Sequence, residues 1–409
     1  MIDSSATNSS STERRSVLRS ARQANSIAFA GQGLFLAVVL TELPQLKDKF
    51  DLSEAALVGA VAGISLIAAL GSVAAERVAV RWSSRTALRL GLCLVAISGL
   101  AIACSPVPAA LFVALAIYGI GLGAVDAGTN MQAVLIQHGQ GRFILSSFYA
   151  AWSAGAIAGA LFVAACAALD LSVSVAIGVA AVAVLLAGQT LGPRLLGAAD
   201  AESGPDEHDP ARPVPVGTFL MFGVTLALAF AIDLAVGNWS ALYLSEELHA
   251  SAAASALALA AYQGASLAGR LAGDTGVRRW GSRTVSRCAA AIGSVGLAIV
   301  VVAPTSAIAI IGFLVAGIGL PLIAPLCFSE LGRRTGGRGL DALIARLNLF
   351  NYAGTLVGGV VVGSVATAAN LRAGFAIPLL FALALFGLAR IFSQRLRHSS
   401  ATATIPGQN

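Results

Sequence analysis

Glu76-Arg77-Val78-Ala79-Val80-Arg81-Trp82-Ser83-Ser84-Arg85 is answered 198 residues later by Asp274-Thr275-Gly276-Val277-Arg278-Arg279-Trp280-Gly281-Ser282-Arg283. In each stretch an acid near the end of an apolar run is followed by arginines, a tryptophan and a closing Ser-Arg. The same spacing sets Gly119-Ile120-Gly121-Leu122 on Gly317-Ile318-Gly319-Leu320. One residue further on, Gly155 and Gly159 fall on Gly354 and Gly358, as in copies that diverged through a small insertion. Long apolar segments surround both copies, so the chain reads as two tandem halves in parallel orientation.

Composition says what kind of halves these are. Hydrophobic residues make up 57% and charged residues 11%, with a mean hydropathy of +0.83. An ordinary soluble domain is about 25% charged, and a soluble fold this poor in charge could not cover its surface. The apolar residues fall into twelve runs near the ~20 residues that cross a hydrocarbon core: 24–43, 55–75, 86–104, 107–127, 145–168, 171–192, 216–236, 252–272, 284–303, 306–327, 343–367 and 372–392. Each is predicted as a helix, because lipid offers a backbone N–H or C=O no outside partner. The predicted fold is therefore an all-α integral membrane protein of twelve transmembrane helices, arranged as two six-helix bundles related by a parallel repeat.

The first bundle is expected over 24–192 and the second over 216–392. Residues 1–23, rich in Ser, Thr and Arg, are expected to be a disordered cytoplasmic tail. Residues 193–215, with their acids and prolines, read as a cytoplasmic linker, and 393–409 as a second cytoplasmic tail. The run that begins at 24 is full length and lacks a cleavage site, so it reads as a span and not as a removable signal peptide.

A net charge of +6 could suggest a nucleic-acid partner, but the placement of the charge argues against one. With the amino terminus inside, only Lys47, Lys49 and Arg372 of the 26 Lys and Arg fall on the outer side. That bias predicts both termini in the cytoplasm, an even number of spans and residence in the plasma membrane. Cys93, Cys104, Cys166, Cys288 and Cys327 are scattered through apolar runs and read as small packing residues. His138, His208, His249 and His398 lie in connections or at ends, with no intramembrane metal set or Ser/His pair. A Gly-rich phosphate loop ending in Lys-Ser or Lys-Thr is also lacking. The sequence thus gives no support to a membrane enzyme or a primary pump, and no cofactor or metal is expected.

With two six-helix halves, a polar linker and an Arg-rich loop after the second helix of each half, the chain resembles the major facilitator superfamily. The loop motif of that family runs Gly, three variable residues, Asp-Arg, Gly and further basic residues. Here the first copy departs from it, with Ser72 for the leading Gly, Glu76 for Asp and Ser83 for the later Gly. A narrower resemblance is to the fucose-permease-like subgroup of sugar or drug permeases. It rests on Leu43-Pro44-Gln45-Leu46-Lys47; on Asp126, Asn130 and Gln132; and on Arg142 with Ser147-Phe148-Tyr149-Ala150-Ala151-Trp152-Ser153-Ala154-Gly155. It continues in Asp233, Asn238-Trp239-Ser240, Tyr243-Leu244 and Gly269-Arg270-Leu271-Ala272-Gly273-Asp274. Tyr149 stands where that subgroup has His, Asp233 where it has Glu, and Glu42 where a basic residue is common.

An unpaired carboxylate at the centre of a span costs roughly 2.5–3.5 kcal/mol, so Asp126 and Asp233 need compensating surroundings. Asp126 and Asn130 share one helix face, Tyr149, Trp152 and Ser153 another, and Asn348, Asn351 and Tyr352 a third. In the resembled fold such faces border a central cavity, and aromatic rings beside amides suit a polar, ring-shaped solute. Asp233 is expected near a helix break at Gly237-Asn238, with Trp239 beside it. A carboxylate whose surroundings alternate can load and release a proton; a structural hydrogen bond to a neighbouring helix is the alternative for Asp126, and capping or bracing the helix break the alternative for Asp233. Arg346 is expected to snorkel to the interface.

The paired loops suggest a cytoplasmic gate, because a carboxylate at the end of helix two or eight can meet the positive amino end of a facing helix. Glu76 with Arg77, Arg81 and Arg85 forms one expected latch, and Asp274 with Arg278, Arg279 and Arg283 the other. The function expected is proton-coupled movement of a small polar or amphipathic solute across a lipid bilayer by a monomer, leaning to sugar-like uptake. Efflux by the same fold and a non-transporting sensor are the alternatives.

Overall fold

The computed structural model describes residues 4–198, 214–335 and 339–393. Twelve long helices run through them, and no strand occurs among the described residues. The first half contains α1 (Ser4–Lys49), α2 (Glu54–Arg81), α3 (Ser84–Ala103), α4 (Pro108–Gln140), α5 (Leu145–Ala168) and α6 (Val173–Leu191). The second contains α7 (Val216–Leu242), α8 (Ala252–Trp280), α9 (Ser282–Val302), α10 (Ser306–Arg334), α11 (Leu340–Ala368) and α12 (Leu371–Leu388).

Local signals explain where the helices begin and bend. Ser53 caps α2 by accepting the Ala56 amide at 3.2 Å, and its repeat counterpart Ser251 caps α8 through the Ala254 amide at 3.3 Å. Each side-chain oxygen satisfies an N–H that has no partner within its helix. α10 tightens into a 3-10 turn at Leu320–Leu322, where Pro321 removes a donor and crowds the preceding turn.

The repeat seen in sequence is also a repeat of packing. In the first half α1 packs on α5 and α6, α2 on α4, and α3 on α4 and α6. Six helices on, α7 packs on α11 and α12, α8 on α10, and α9 on α10 and α12. Gly155 brings α5 so close to α1 that a Cβ there would overlap the Ala30 carbonyl oxygen, and Gly354 sets α11 equally close to Ala227 of α7. Small residues at such crossings let helix backbones touch where lipid gives no hydrophobic drive to associate. The outer surface is correspondingly apolar, with Leu70, Leu161, Leu186, Val302 and Val360 all exposed. The halves meet along α2 with α11, α5 with α8, and α4 with α11.

Eleven of the helices are long and apolar enough to cross a membrane. The twelfth, α8, carries Gln263, Arg270 and Asp274, which dilute its apolar character. Two expectations are corrected. The chain is helical from Ser4 instead of disordered up to residue 23, because Leu18 and Ala21 bury against the first bundle and Arg22 donates to Ser147 Oγ at 3.1 Å. α7 does not break at Gly237-Asn238; it runs on to Leu242 and then widens into a π turn at Tyr243–Glu247. Most of the expected linker and of the carboxyl-terminal tail, with Arg212, Arg395 and Arg397, lies outside the described residues, as does Arg338 between α10 and α11.

Candidate functional site

Asp126 sits midway along α4 and collects hydrogen-bond donors from both halves. Gln32 Nε2 of α1 donates to Oδ1 at 3.1 Å. Asn348 Nδ2, Asn351 Nδ2 and Tyr352 Oη of α11 donate to Oδ2 at 3.1, 2.9 and 3.0 Å. An ionised carboxylate offers about four lone-pair sites, and four neutral donors converge on this one, three of them on Oδ2. No ion pair reaches Asp126 among the described residues. One turn along, Asn130 donates to the Asp126 carbonyl at 2.9 Å and accepts from Tyr149 Oη of α5 at 3.0 Å.

A second cluster joins α7, α8 and α5. Asp233 accepts a short hydrogen bond from Tyr262 Oη, and its other oxygen lies 3.8 Å from Arg270 Nη2. Arg270 crosses the seam: Nη1 donates to Ser153 Oγ at 2.6 Å, and the guanidinium carbon lies 5.6 and 5.9 Å from the ring centres of Tyr149 and Trp152. Such ring faces attract a cation through their quadrupoles.

At the arginine-rich end the halves are tied together. Asp274 of α8 accepts the backbone amides of Ser146 and Ser147, the second and third residues of α5, at 2.9 and 3.1 Å. Ser146 Oγ donates to the Arg270 carbonyl at 2.7 Å, and Arg278 Nη1 to the Phe143 carbonyl at 3.0 Å. Glu76 of α2 pairs with Arg346 of α11, whose Nη2 and Nε lie 2.8 and 2.9 Å from Oε1. Gln137 and Ser329 add a buried hydrogen bond of 2.7 Å between α4 and α10.

The expected first latch is thus built differently. Arg77 and Arg81 are exposed, Arg81 lies over its neighbour Trp82 at 5.7 Å, and Glu76 reaches across the seam to Arg346. Arg346 is therefore an ion-pair partner across the seam. Arg279 is exposed over Trp280, also at 5.7 Å. Arg283 binds the carbonyls of Phe392 and Arg390 at 2.7 and 2.8 Å and so fastens the chain where it leaves α12. The Arg85 guanidinium lies close beside Gly197, beyond α6.

A repeat-related pair completes these fastenings. Gln132 exchanges hydrogen bonds with Leu196, at 2.8 Å to its carbonyl and 3.0 Å from its amide. Glu330, 198 residues on, accepts the Ser393 amide at 3.2 Å and the Ser393 hydroxyl.

Of the residues expected in the polar core, the structure brings Asp126, Asn130, Tyr149, Asn348, Asn351 and Tyr352 into one network, with Trp152 and Asp233 in the adjoining cluster. Asn238 lies apart from both: it is exposed, and five residues beyond Asp233 the helix has turned about 140°. The Trp239 ring packs against Gly363 of α11, and its indole nitrogen is buried without a partner. Gln32, Tyr262 and Arg270 belong to the site although sequence reasoning did not place them there. Tyr262, Ser266, Arg270 and Asp274 share one stripe of α8 at i, i+4 spacing, which was the available signal.

Comparison with known proteins adds to this geometry. A family model described as Major Facilitator Superfamily matches residues 24–336. An uncharacterized transporter of Sinorhizobium fredii is 32% identical over 305 residues, 74% of this chain and 78% of that protein. An uncharacterized MFS-type transporter of Yersinia pestis is 26% identical over 364 residues, 89% of this chain and 94% of that protein. Among solved structures, the fucose:proton symporter of E. coli superposes with a TM-score of 0.72 at 17% identity, covering 91% of this chain and 98% of its own.

Proposed function

The chain belongs to the Major Facilitator Superfamily, whose members bind small-molecule substrates within the membrane, and from that premise we propose a secondary active transporter that moves a small polar, sugar-like solute inward, coupled to protons through Asp126. The arginine-rich end faces the cytoplasm of the plasma membrane, in keeping with the positive-inside bias, and the protein works as a monomer.

The observation that carries the coupling is the four-donor shell of Asp126. As an anion the carboxylate accepts Gln32 from its own half and Asn348, Asn351 and Tyr352 from the other. A proton on it turns one acceptor site into a donor and removes the charge that strengthens the other bonds, so the shell must rearrange around it. Hydrogen bonds to a charged group are worth about 1.5–3 kcal/mol each, so protonation loosens the α4–α11 seam at the level where a solute would bind. A charge change is thereby converted into separation of the halves, as alternating access requires.

The test uses purified protein in liposomes that enclose a pH dye, with a panel of polar solutes added outside. The wild type is expected to acidify the interior only with a transported solute. Asp126→Asn is expected to keep solute exchange between two loaded pools while the acidification disappears. Acidification by Asp126→Asn at the wild-type rate would remove Asp126 as the proton carrier.

A further inference from the structure

We propose that Arg270 is the anchor for a carboxylate on the transported solute, so that the cargo is a hydroxylated monocarboxylic acid of the sugar-acid type. This rests on the transporter reading above and names the class of its substrate.

Arg270 is a buried cation with an incomplete set of partners. Its side chain is 6% exposed, yet of its five N–H directions only Nη1 has a short bond, to Ser153, while Nε has a long one of 3.5 Å to the Pro321 carbonyl. Among the described residues Nη2 has no hydrogen bond; Asp233 Oδ2 at 3.8 Å lies beyond that reach. Nη2 is not fully buried, so this edge of the guanidinium is open to water or to a ligand. Asp233 has its own close partner in Tyr262, and at 29% exposure it is the outer member of the pair. The free edge of the guanidinium thus lies behind a carboxylate that only partly occupies it.

The surroundings select the ligand. A planar carboxylate fits a guanidinium edge side-on through two parallel N–H bonds. The rings of Tyr149 and Trp152 lie against the guanidinium, and Trp152, half-buried, leaves ring surface for the body of the solute. On α11, Asn351 gives its amide nitrogen to Asp126 and, among the described residues, has no hydrogen-bond partner on Oδ1, which leaves that oxygen for a hydroxyl. The remaining acids of the polar core, Asp126 and Asp233, and the absence of a second Lys or Arg from the contacts described limit the cargo to a single negative charge. A phosphate dianion would face two carboxylates with one cation in its favour. The site also lies at the seam: Arg270 belongs to the second half, while Ser153, Tyr149 and Trp152 belong to the first, so a carboxylate docked there contacts both.

The test is calorimetric binding to the full-length protein in detergent of D-glucuronate, D-gluconate and L-lactate, with D-glucose as the neutral counterpart of the first. At least one acid is expected to bind, and tenfold or more tighter than D-glucose. Arg270→Gln should abolish acid binding. Asp233→Asn, which removes the competing carboxylate, should tighten it at least threefold. A guanidinium that only braces the seam would lose nothing specific to acids in either variant. Should Arg270→Gln fail to fold, Asp233→Asn decides alone: unchanged or weaker acid binding overturns the assignment, as does failure of all three acids to bind. Solute exchange in liposomes separates the two claims. Exchange of a neutral solute that no acid inhibits would overturn the carboxylate anchor and leave the transporter standing, whereas absence of exchange for every solute would end both.

Discussion

The Asp274 carboxylate closes the amino end of α5 across the seam, its Oδ1 lying 2.9 Å from the Ser146 amide nitrogen. Two backbone N–H groups that lack partners within α5 point at a negative charge on the opposite half, and the helix dipole adds to the attraction. Asp274→Asn keeps the shape and removes the charge. It is expected to cost the closed arrangement about 1–2 kcal/mol, or roughly five- to thirtyfold in population. Spin labels at positions 142 and 279 in a cysteine-free background would read this as a longer distance at the arginine-rich end. An unchanged distance distribution would count against the tie.

Glu76 and Arg346 span the same seam with a weaker hold. Arg346 is 63% exposed and Glu76 16%, so solvent screens the pair despite its 2.8 Å approach. A double-mutant cycle with Glu76→Gln and Arg346→Gln is expected to give a coupling of no more than about 1 kcal/mol, read from the same label distances and shrinking in high salt. A coupling above about 2 kcal/mol would mean that the pair is more deeply desolvated than its geometry shows.

The glycine crossings make a prediction about stability. Gly354→Ala drives a methyl group into the Ala227 carbonyl and is expected to cost about 1–3 kcal/mol, seen as a lower melting midpoint in detergent. Gly237→Ala on α7 meets nothing within 4 Å and is expected to hold or raise the midpoint, since alanine favours the helix by up to about 1 kcal/mol. Equal effects of the two substitutions would sever the link between close approach and stability.

The chain exits are fastened by residues whose removal strands buried groups. Gln132→Ala leaves the Leu196 amide and carbonyl without their partner, a loss of about 1–3 kcal/mol. Glu330 is 1% exposed and is approached by Arg333 and Arg334 at 3.7 and 3.4 Å, so Glu330→Ala should destabilise at least as much and expose the backbone around Ser393 to protease. Melting curves and limited proteolysis measure the two effects separately.

Reading the sequence reached the helix count, the two halves and most of the Asp126 network, because each depends on periodicity within a helix or on the repeat. Its failures share a cause. Glu76 has arginines one, five and nine residues away, which looks like a local cluster, but its partner lies 270 residues on, and a contact between two folded halves leaves no spacing signal. The charge bias sets Arg270 on the cytoplasmic side, near the end of an apolar run, whereas packing of α8 on α5 turns it inward to Ser153. Gln32 is a lone amide in a long apolar run, and nothing in one chain says that it faces Asp126. The Ser/Thr-rich start has a disordered composition, but Leu18 and Ala21 are buried, with Leu18 against Gly139 of α4.

That amino-terminal stretch of α1 bears on how the molecule should be handled. Arg22 holds Ser147 Oγ, and the Ser147 amide is one of the two that grip Asp274, so a stretch ahead of the first apolar run props the closure from outside. Trimming the gene to residue 24 to obtain a shorter crystallisation target would remove this strut and bias the sample toward the opposite opening. A fluorophore fixed rigidly to the same stretch would instead report, through its anisotropy, whether the mouth beneath it is shut.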